Sequence, residues 1–141
     1  MNLLQRPPAS AVRQLLEEVQ LPTSDLTQAH LDNFLGCGDS GALEGVVGLE
    51  LYPPVALLRS LAVASICRSR GLGTTLLAEA ERHARHRGVK EIYLLTTTAE
   101  RFFARSGYER IEREAAPEAI RATREFSAIC PASSAVMKKR L

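Results

Sequence analysis

The sequence predicts one mixed α/β (α+β) domain over residues 1–141, with a mostly antiparallel sheet of about six to seven strands and a central βαβ unit. Three observations carry this expectation. Apolar residues switch repeatedly between strand-like runs and helix-like stripes. In the first half, successive apolar runs are joined by short Gly or Pro breaks, as in antiparallel hairpins. At the centre the pattern reads strand, glycine-rich turn, amphipathic helix, strand, which is a parallel crossover.

Element by element, Leu3 and Leu4 suggest a short edge strand. Ser10 stands where it can cap a helix carrying Val12, Leu15, Leu16 and Val19 on one face, stopped by Leu21-Pro22. Residues 23–30 read as a polar helical connection, with Ser24 or Asp25 as its cap. Leu31, Asn33 and Leu35 then alternate as a strand, residues 36–41 supply turn chemistry, and residues 43–51 form an apolar run that completes a hairpin. Pro53-Pro54 breaks the chain before a second apolar run, residues 55–64, which should pair antiparallel with the first and which contains Arg59 and Ser60.

After residues 68–73 comes a helix with Leu72, Leu76, Leu77, Ala80 and Ala84 on its inner face. Gly88 ends it, and Arg85, His86 and Arg87 suit the carbonyl end of its dipole. Residues 91–97 read as a strand, 100–106 as a short helix, and 108–112 as a strand after Gly107. Pro117 opens a helix running to about Phe126, and residues 134–141 close the chain as a strand.

Composition narrows the function classes. Eighteen basic against sixteen acidic residues leave a net charge of +2, too near balance for nucleic acid or an anionic membrane as main partner. An aromatic content of 5%, without Trp, also argues against base-stacking surfaces. Cys37, Cys67 and Cys130 are odd in number and form no C-x-x-C pair, so a disulfide framework and a structural zinc site are not expected. His83 and His86 share a helical face, but no third ligand accompanies them, so no metal is expected. With no leader and no apolar run near the ~20 residues of a membrane span, the expected location is cytoplasmic.

The segment Arg68-Ser69-Arg70-Gly71-Leu72-Gly73 carries the strongest chemical signal. A strand running into a glycine-rich turn and then a helix gathers free backbone N–H groups around one point, which suits a phosphate. Gly71 and Gly73 let backbone approach bound oxygens, and Arg68 and Arg70 add charge. The dinucleotide fingerprint fails, because its third glycine would fall on Leu76 and no acid ends the next strand. A Walker A string is absent.

The strand Leu57-Leu58-Arg59-Ser60-Leu61-Ala62-Val63, this loop and the helix beginning Thr74-Thr75-Leu76-Leu77 resemble the acetyl-CoA signature of the GNAT superfamily of N-acetyltransferases. Arg68, Gly71 and Gly73 match its [QR]-x-x-G-x-[GA] element. Downstream, residues 92–98 and Ala99-Glu100-Arg101-Phe102-Phe103-Ala104-Arg105-Ser106-Gly107-Tyr108 resemble its next strand and helix. Leu95-Thr96-Thr97 and the tail from Pro117 to Met137 look like amino-acid acetyltransferases of the N-acetylglutamate synthase type. Residues 120–126 and 130–133 look like the small GNAT proteins of arsenic-resistance gene clusters.

The resemblance implies a GNAT fold with a splay between strands 4 and 5, and acetyl-CoA as cofactor. It assigns the pantetheine arm to the strand edge at Leu61, Ala62 and Val63, and the pyrophosphate to Arg68, Ser69, Arg70, Gly71, Leu72, Gly73 and Thr74, with Phe103 beside the cofactor. A backbone N–H near Leu61 would polarise the thioester carbonyl. An amine would attack acetyl-CoA directly, with no cysteine nucleophile. Phe103 occupies the position of the family's thiolate-protonating tyrosine, so water would serve there.

Glu50 is a candidate base through water, although strand alternation favours a solvent-facing side chain. Thr96 and Thr97 are candidates to hold the amine or a water, or are β-branched strand filler. Arg59 interrupts an apolar run, and two readings stay open: pairing with a substrate carboxylate, or a salt bridge to a structural acid such as Glu50. Ser60 lies beside it, and Arg121 and Arg124 are secondary substrate candidates. The expected activity is acetyl transfer to a small carboxylate-bearing amino acid or analogue, within a possible homodimer. An acyl-CoA-binding module without transfer, and a protein or peptide acetyltransferase, are the alternatives.

Overall fold

The computed structural model describes residues 3–39 and 41–141. Met1, Asn2 and Ser40 lie outside the described residues, and Ser40 falls within the turn expected over residues 36–41. Among the described residues, seven strands form one sheet: β1 Leu3–Gln5, β2 Phe34–Asp39, β3 Ala42–Tyr52, β4 Val55–Val63, β5 Glu91–Thr96, β6 Glu109–Ile111 and β7 Ala135–Arg140. Their order is β1-β2-β3-β4-β5-β7-β6. Only β4 and β5 run parallel, joined by α3 (Leu72–His86), and every other pair is antiparallel.

Alternation along the strands sorts the core onto two faces. Leu76, Leu77, Ala80 and Ala84 of α3 pack on one face against Leu49, Ala56, Leu58, Ile92 and Leu94, and Phe103 of α4 (Glu100–Arg105) joins them. On the opposite face, Val12, Leu15 and Leu16 of α1 (Ala9–Glu18) cover Phe34, Val46 and Ala62. Further along that face, Ile120 of α5 (Glu118–Arg121) and Phe126 cover Leu57, Tyr93 and Val136. The helical stripes read from the sequence therefore sit where their periods put them.

Boundaries differ in physically informative ways. Ser10 lies inside α1 rather than at its cap, because Pro8 takes the N-cap position and its fixed φ of −56° leads the chain in. Neither Ser24 nor Asp25 caps the second helix, α2 (Gln28–Leu31). Thr27 does, by a reciprocal pair in which its side chain accepts from the His30 N–H while its own N–H donates to His30 Nδ1 at 3.2 Å. Leu31 ends that helix, so the strand expected from Leu31 begins at Phe34 and runs on through Gly36 to Asp39. A register shift at Cys37/Gly38, with Gly38 at φ 104°, bends it.

The helix expected to reach Phe126 stops at Arg121. Thr123 accounts for the stop. Its Oγ1 donates to the Ile120 carbonyl at 2.7 Å and accepts from the Phe126 N–H at 3.3 Å, diverting the backbone into a π-turn over Glu125–Ile129. That turn sets Glu125 and Phe126 inward, both buried.

Candidate active site

Strands β4 and β5 pair only at Val55, Ala56 and Leu57, opposite Glu91, Ile92 and Tyr93, although β4 continues to Val63 and β5 to Thr96. Past Leu57 the sheet is open. Since β5 is paired on its far side with β7 as far as Thr96, it is β4 whose edge loses its partner. At Ser60, φ is 60°, and the β3–β4 register shifts between Val46 and Gly48 at the same place. This bulge resets the alternation, so that Leu61 packs with the α3 face and Ala62 with the α1 face.

The opening leads into a cavity of about 400 Å³ lined by the end of β4 (Leu61 to Val63), the loop and helix start (Arg68, Ser69, Gly71 to Thr74) and Ala99, Phe102 and Phe103. Every predicted cofactor residue except Arg70 lines it, and Arg70 points instead toward Glu44 at 3.6 Å on the surface. Gly71 is the N-cap of α3 at φ 77°, a left-handed conformation, and a Cβ there would meet no atom within 4 Å. No side chain caps this helix, so the N–H groups of its first turn face the cavity mouth. A cradle of backbone donors at a fifteen-residue helix's N-terminus, with open space before it, fits a phosphate. The apolar wall of Phe102 and Phe103, edge-to-face at 5.1 Å, suits an aliphatic arm.

On the other face of the opening lies a buried charge cluster. Arg59 is 2% exposed. Its Nη1 and Nη2 donate to Asp25 at 2.5 and 2.8 Å, and Nη1 also donates to Glu50 Oε2 at 2.9 Å. Its Nε donates to Ser60 Oγ at 3.2 Å, with Glu125 Oε2 beside it at 3.4 Å. Because Nε is aimed at Ser60, the contact with Glu125 is an ion pair without hydrogen-bond geometry, and Glu125 Oε2 has no hydrogen-bond donor among the described residues.

Of the two readings of Arg59, its position here is the salt bridge, made to Glu50 and extended to Asp25 and Glu125. Glu50 correspondingly points inward, 5% exposed, with Oε1 accepting from Tyr52 at 2.6 Å; the solvent-facing orientation expected from alternation does not hold. The preference for solvent ignored the burial that Arg59 makes affordable for its partners.

The electrostatics separate the acids. Burial pushes the Asp25 carboxyl up, but the Arg59 fork overcomes it and holds Asp25 below the usual range. Glu125 goes the other way. Burial, aided by the charges of Asp25 and Glu50, outweighs Arg59 and lifts it to about 7. Cys130, whose thiol donates weakly to Glu125 Oε1 at 3.7 Å, is pushed to about 12 by burial and by Glu125, which makes it a poor nucleophile.

Elsewhere the candidates disperse. Thr96 Oγ1 accepts from the Ala99 N–H at 3.0 Å and so shapes the turn into α4, while Thr97 is exposed past the strand end. Arg121 and Arg124 are exposed. Asp25, His30 and Glu50 bring ligand atoms within 4.8 Å of one another, a group the sequence did not signal. Arg59 already occupies both carboxylates, and its charge opposes a cation there. Asp25 and Glu125 were missed because acids in polar connections look solvated, and only tertiary packing brings them to Arg59.

The profile described as the Acetyltransferase (GNAT) family matches residues 2–111. The chain belongs to the GNAT acetyltransferase family. An uncharacterized N-acetyltransferase of Chlorobaculum tepidum is 35% identical over 92 residues, which cover 64% of this chain and 59% of that protein. Among solved structures, N-acetylglutamate synthase from Neisseria gonorrhoeae, complexed with coenzyme A and N-acetyl-glutamate, matches 99% of this chain and 35% of its own. Its TM-score is 0.80 at 21% identity. The PaiA N-acetyltransferase from Thermoplasma acidophilum, in complex with coenzyme A, gives a TM-score of 0.66 at 17% identity, covering 100% of both chains. This chain thus spans 59% of the length of its Chlorobaculum relative and about a third of the synthase. These likenesses show the GNAT fold, and the parallel β4–β5 pair that parts after Leu57 belongs to it in this chain.

Proposed function

We propose that this GNAT chain is an acetyl-CoA-dependent N-acetyltransferase acting on the amine of a small molecule. One observation carries the reading: the edge of β4 loses its partner after Leu57 and leads directly to a glycine-cradled helix N-terminus, so a single cleft offers backbone groups, an apolar wall and a phosphate site in line. Arg68, Ser69 and Gly71 to Thr74 would hold the pyrophosphate, and Leu61, Ala62 and Val63 would edge the pantetheine arm beside Phe103. Bound acetyl-CoA supplies a thioester carbonyl carbon for the amine to attack. A backbone N–H near Leu61 would stabilise charge on the carbonyl oxygen. Phe103 has no proton to give the thiolate, so water would give it.

For the acceptor, we favour a small amino acid or analogue, an organoarsenical or phosphinothricin-like amino acid included. The likeness to N-acetylglutamate synthase and the tail of the sequence support that class. Because Arg59 is paired with three acids, Arg121 and Arg124 remain the candidates for a substrate carboxylate, with the buried acids on the side of its ammonium group. The test is acetyl-CoA-dependent thiol release with amino acids alongside the same amines lacking the carboxylate. Turnover of the amino acids alone is expected; equal turnover of both sets rejects carboxylate recognition. Tight acetyl-CoA binding without turnover of any amine favours a binding module, for which Phe103 is the specific observation. Turnover of peptides alone favours protein acetylation.

A further inference from the structure

We propose that Glu125 is the group that takes the proton from the acceptor's ammonium, with Arg59 as its positioning residue; this rests on the transferase reading above. Three carboxylates surround Arg59, and their hydrogen bonding distinguishes them. Both oxygens of Asp25 accept from the guanidinium, and Glu50 accepts from Arg59 on one oxygen and Tyr52 on the other. Glu125 is 7% exposed; among the described residues Oε2 has no hydrogen-bond donor and Oε1 meets the weak Cys130 thiol. Of the three, it is the one with an oxygen that accepts no hydrogen bond from the described residues, which leaves that oxygen the most available to an incoming N–H.

Its place in the sheet is the second observation. Leu57 belongs to the apolar cluster beneath α5 and Phe126, and Arg59 projects from the same face of β4 two residues later. Arg59 Nε touches both Glu125 and Ser60, and the residue after Ser60, Leu61, lines the cavity on the other face. The missing β4–β5 pairing opens the sheet at this point. An acyl group at the β4 edge is then approached from the α3 face by its carrier and from the Glu125 face by the amine.

The step balances without a further reactant. Glu125 carboxylate accepts one proton from R–NH₃⁺, and the freed nitrogen lone pair forms the C–N bond at the thioester carbonyl. As the C–S bond breaks, sulfur leaves with its electron pair, and the second proton released from nitrogen reaches the thiolate through water. Glu125 then returns its proton to solvent. Charged or titratable groups facing Glu125 are Arg59 from β4, Asp25 from the segment before α2, Glu50 from β3 and Cys130 after the π-turn. Arg113 lies nearby, its guanidinium 4.6 Å from the Phe126 ring centroid. Their balance lifts Glu125 close to neutrality, where a base is most effective. Glu125 and Cys130 lie beyond the residues that the family profile matches, so this assignment comes from the tertiary structure alone.

The experiment compares wild type, Glu125→Gln and Glu125→Asp, using the best amine of the panel. The expected result for Glu125→Gln is a fall in kcat of about a hundredfold or more, loss of the limb of the pH–rate profile near neutrality, and an acetyl-CoA Kd within about twofold of wild type, in line with retained folding. Glu125→Asp should restore part of kcat and of the pH dependence. As a readout separate from turnover, ¹³C NMR of the glutamate carboxyls should show one titration near pH 7 that Glu125→Gln removes. Unchanged kcat and pH profile in Glu125→Gln overturns the base role while leaving the transferase reading standing. Wild type that binds acetyl-CoA and transfers to no amine overturns both.

Discussion

Gly71 and Arg59 show how single residues set the cavity mouth and the buried charge cluster behind β4. At Gly71 the backbone is left-handed and the space before it is empty, so a new side chain would clash with no protein atom and act through strain and through the volume left for a ligand. Gly71→Asp should weaken acetyl-CoA binding by more than tenfold, a loss of over about 1.4 kcal/mol, because it also adds a negative charge beside the pyrophosphate site. Isothermal titration checks this, and micromolar binding unchanged by the substitution would reject the loop as the phosphate site. Arg59→Met should destabilise the fold by about 3–5 kcal/mol, because it leaves buried acids without their cation. Urea unfolding measures the loss, and a variant as stable as wild type would show that the cluster is not held by Arg59.

Glu125 links protonation to stability. Its folded-state value of about 7 lies above the usual 4.5, so the folded protein binds more protons than the unfolded chain between those values. Stability should therefore fall as pH rises through that window and level off above it. Glu125→Gln should remove this decline, on the order of 1–3 kcal/mol. Parallel stability curves for the two proteins from pH 4.5 to 8 would contradict the raised value.

Among elements, the proposed function rests on the β4 edge, while the α3 stripe packs the core. Leu76 is fully buried between α3 and the sheet, and Leu76→Ala should cost about 2–5 kcal/mol in urea unfolding. On the same helix, Glu81 accepts from the Tyr108 hydroxyl at 2.9 Å and from Lys139 Nζ at 3.1 Å, tying α3 to the strand after α4 and to β7. Nothing in the apolar stripe signalled this acid, since a charged residue beside Ala80 reads as the edge of a solvated face. The opened stretch of β4 behaves differently: amides of residues 58–63 that face the gap lack strand partners, so hydrogen exchange there should be fast and should slow on adding acetyl-CoA. Exchange that is already slow, or unaffected by acetyl-CoA, would show that the arm does not lie on this edge.

Across the whole molecule, the cavity and the charge cluster lie on opposite faces of β4, next to the stretch where its pairing with β5 has ended. The cavity uses local structure for most of its lining: a strand, a turn and a helix consecutive in sequence. The charge cluster does not, since it joins residues 34 and 9 positions apart along the chain and includes Glu125 from the last quarter. This division explains what could be read in advance. Strand and helix periods, the Gly71 turn and the loop residues lining the cavity were legible, because each depends on neighbours in sequence. The partner of Arg59 stayed open, because alternation ranks sides of a strand without saying what covers them. The end of α5 was also misread, since its stop depends on a Thr123 hydroxyl choosing the backbone over the helix.

By itself, then, the sequence determined the fold class, the order of nearly every element, and the strand–turn–helix segment whose residues Arg68, Ser69 and Gly71 to Thr74 line the cavity, all encoded in spacings of a few residues. Only the tertiary structure decided that Arg59 is enclosed by Asp25, Glu50 and Glu125, and that, of these three acids, Glu125 has an oxygen with no hydrogen-bond donor among the described residues. The physical reason is that burial and electrostatic balance are sums over neighbours distant in the chain, and those neighbours exist only once the sheet has been covered on both faces.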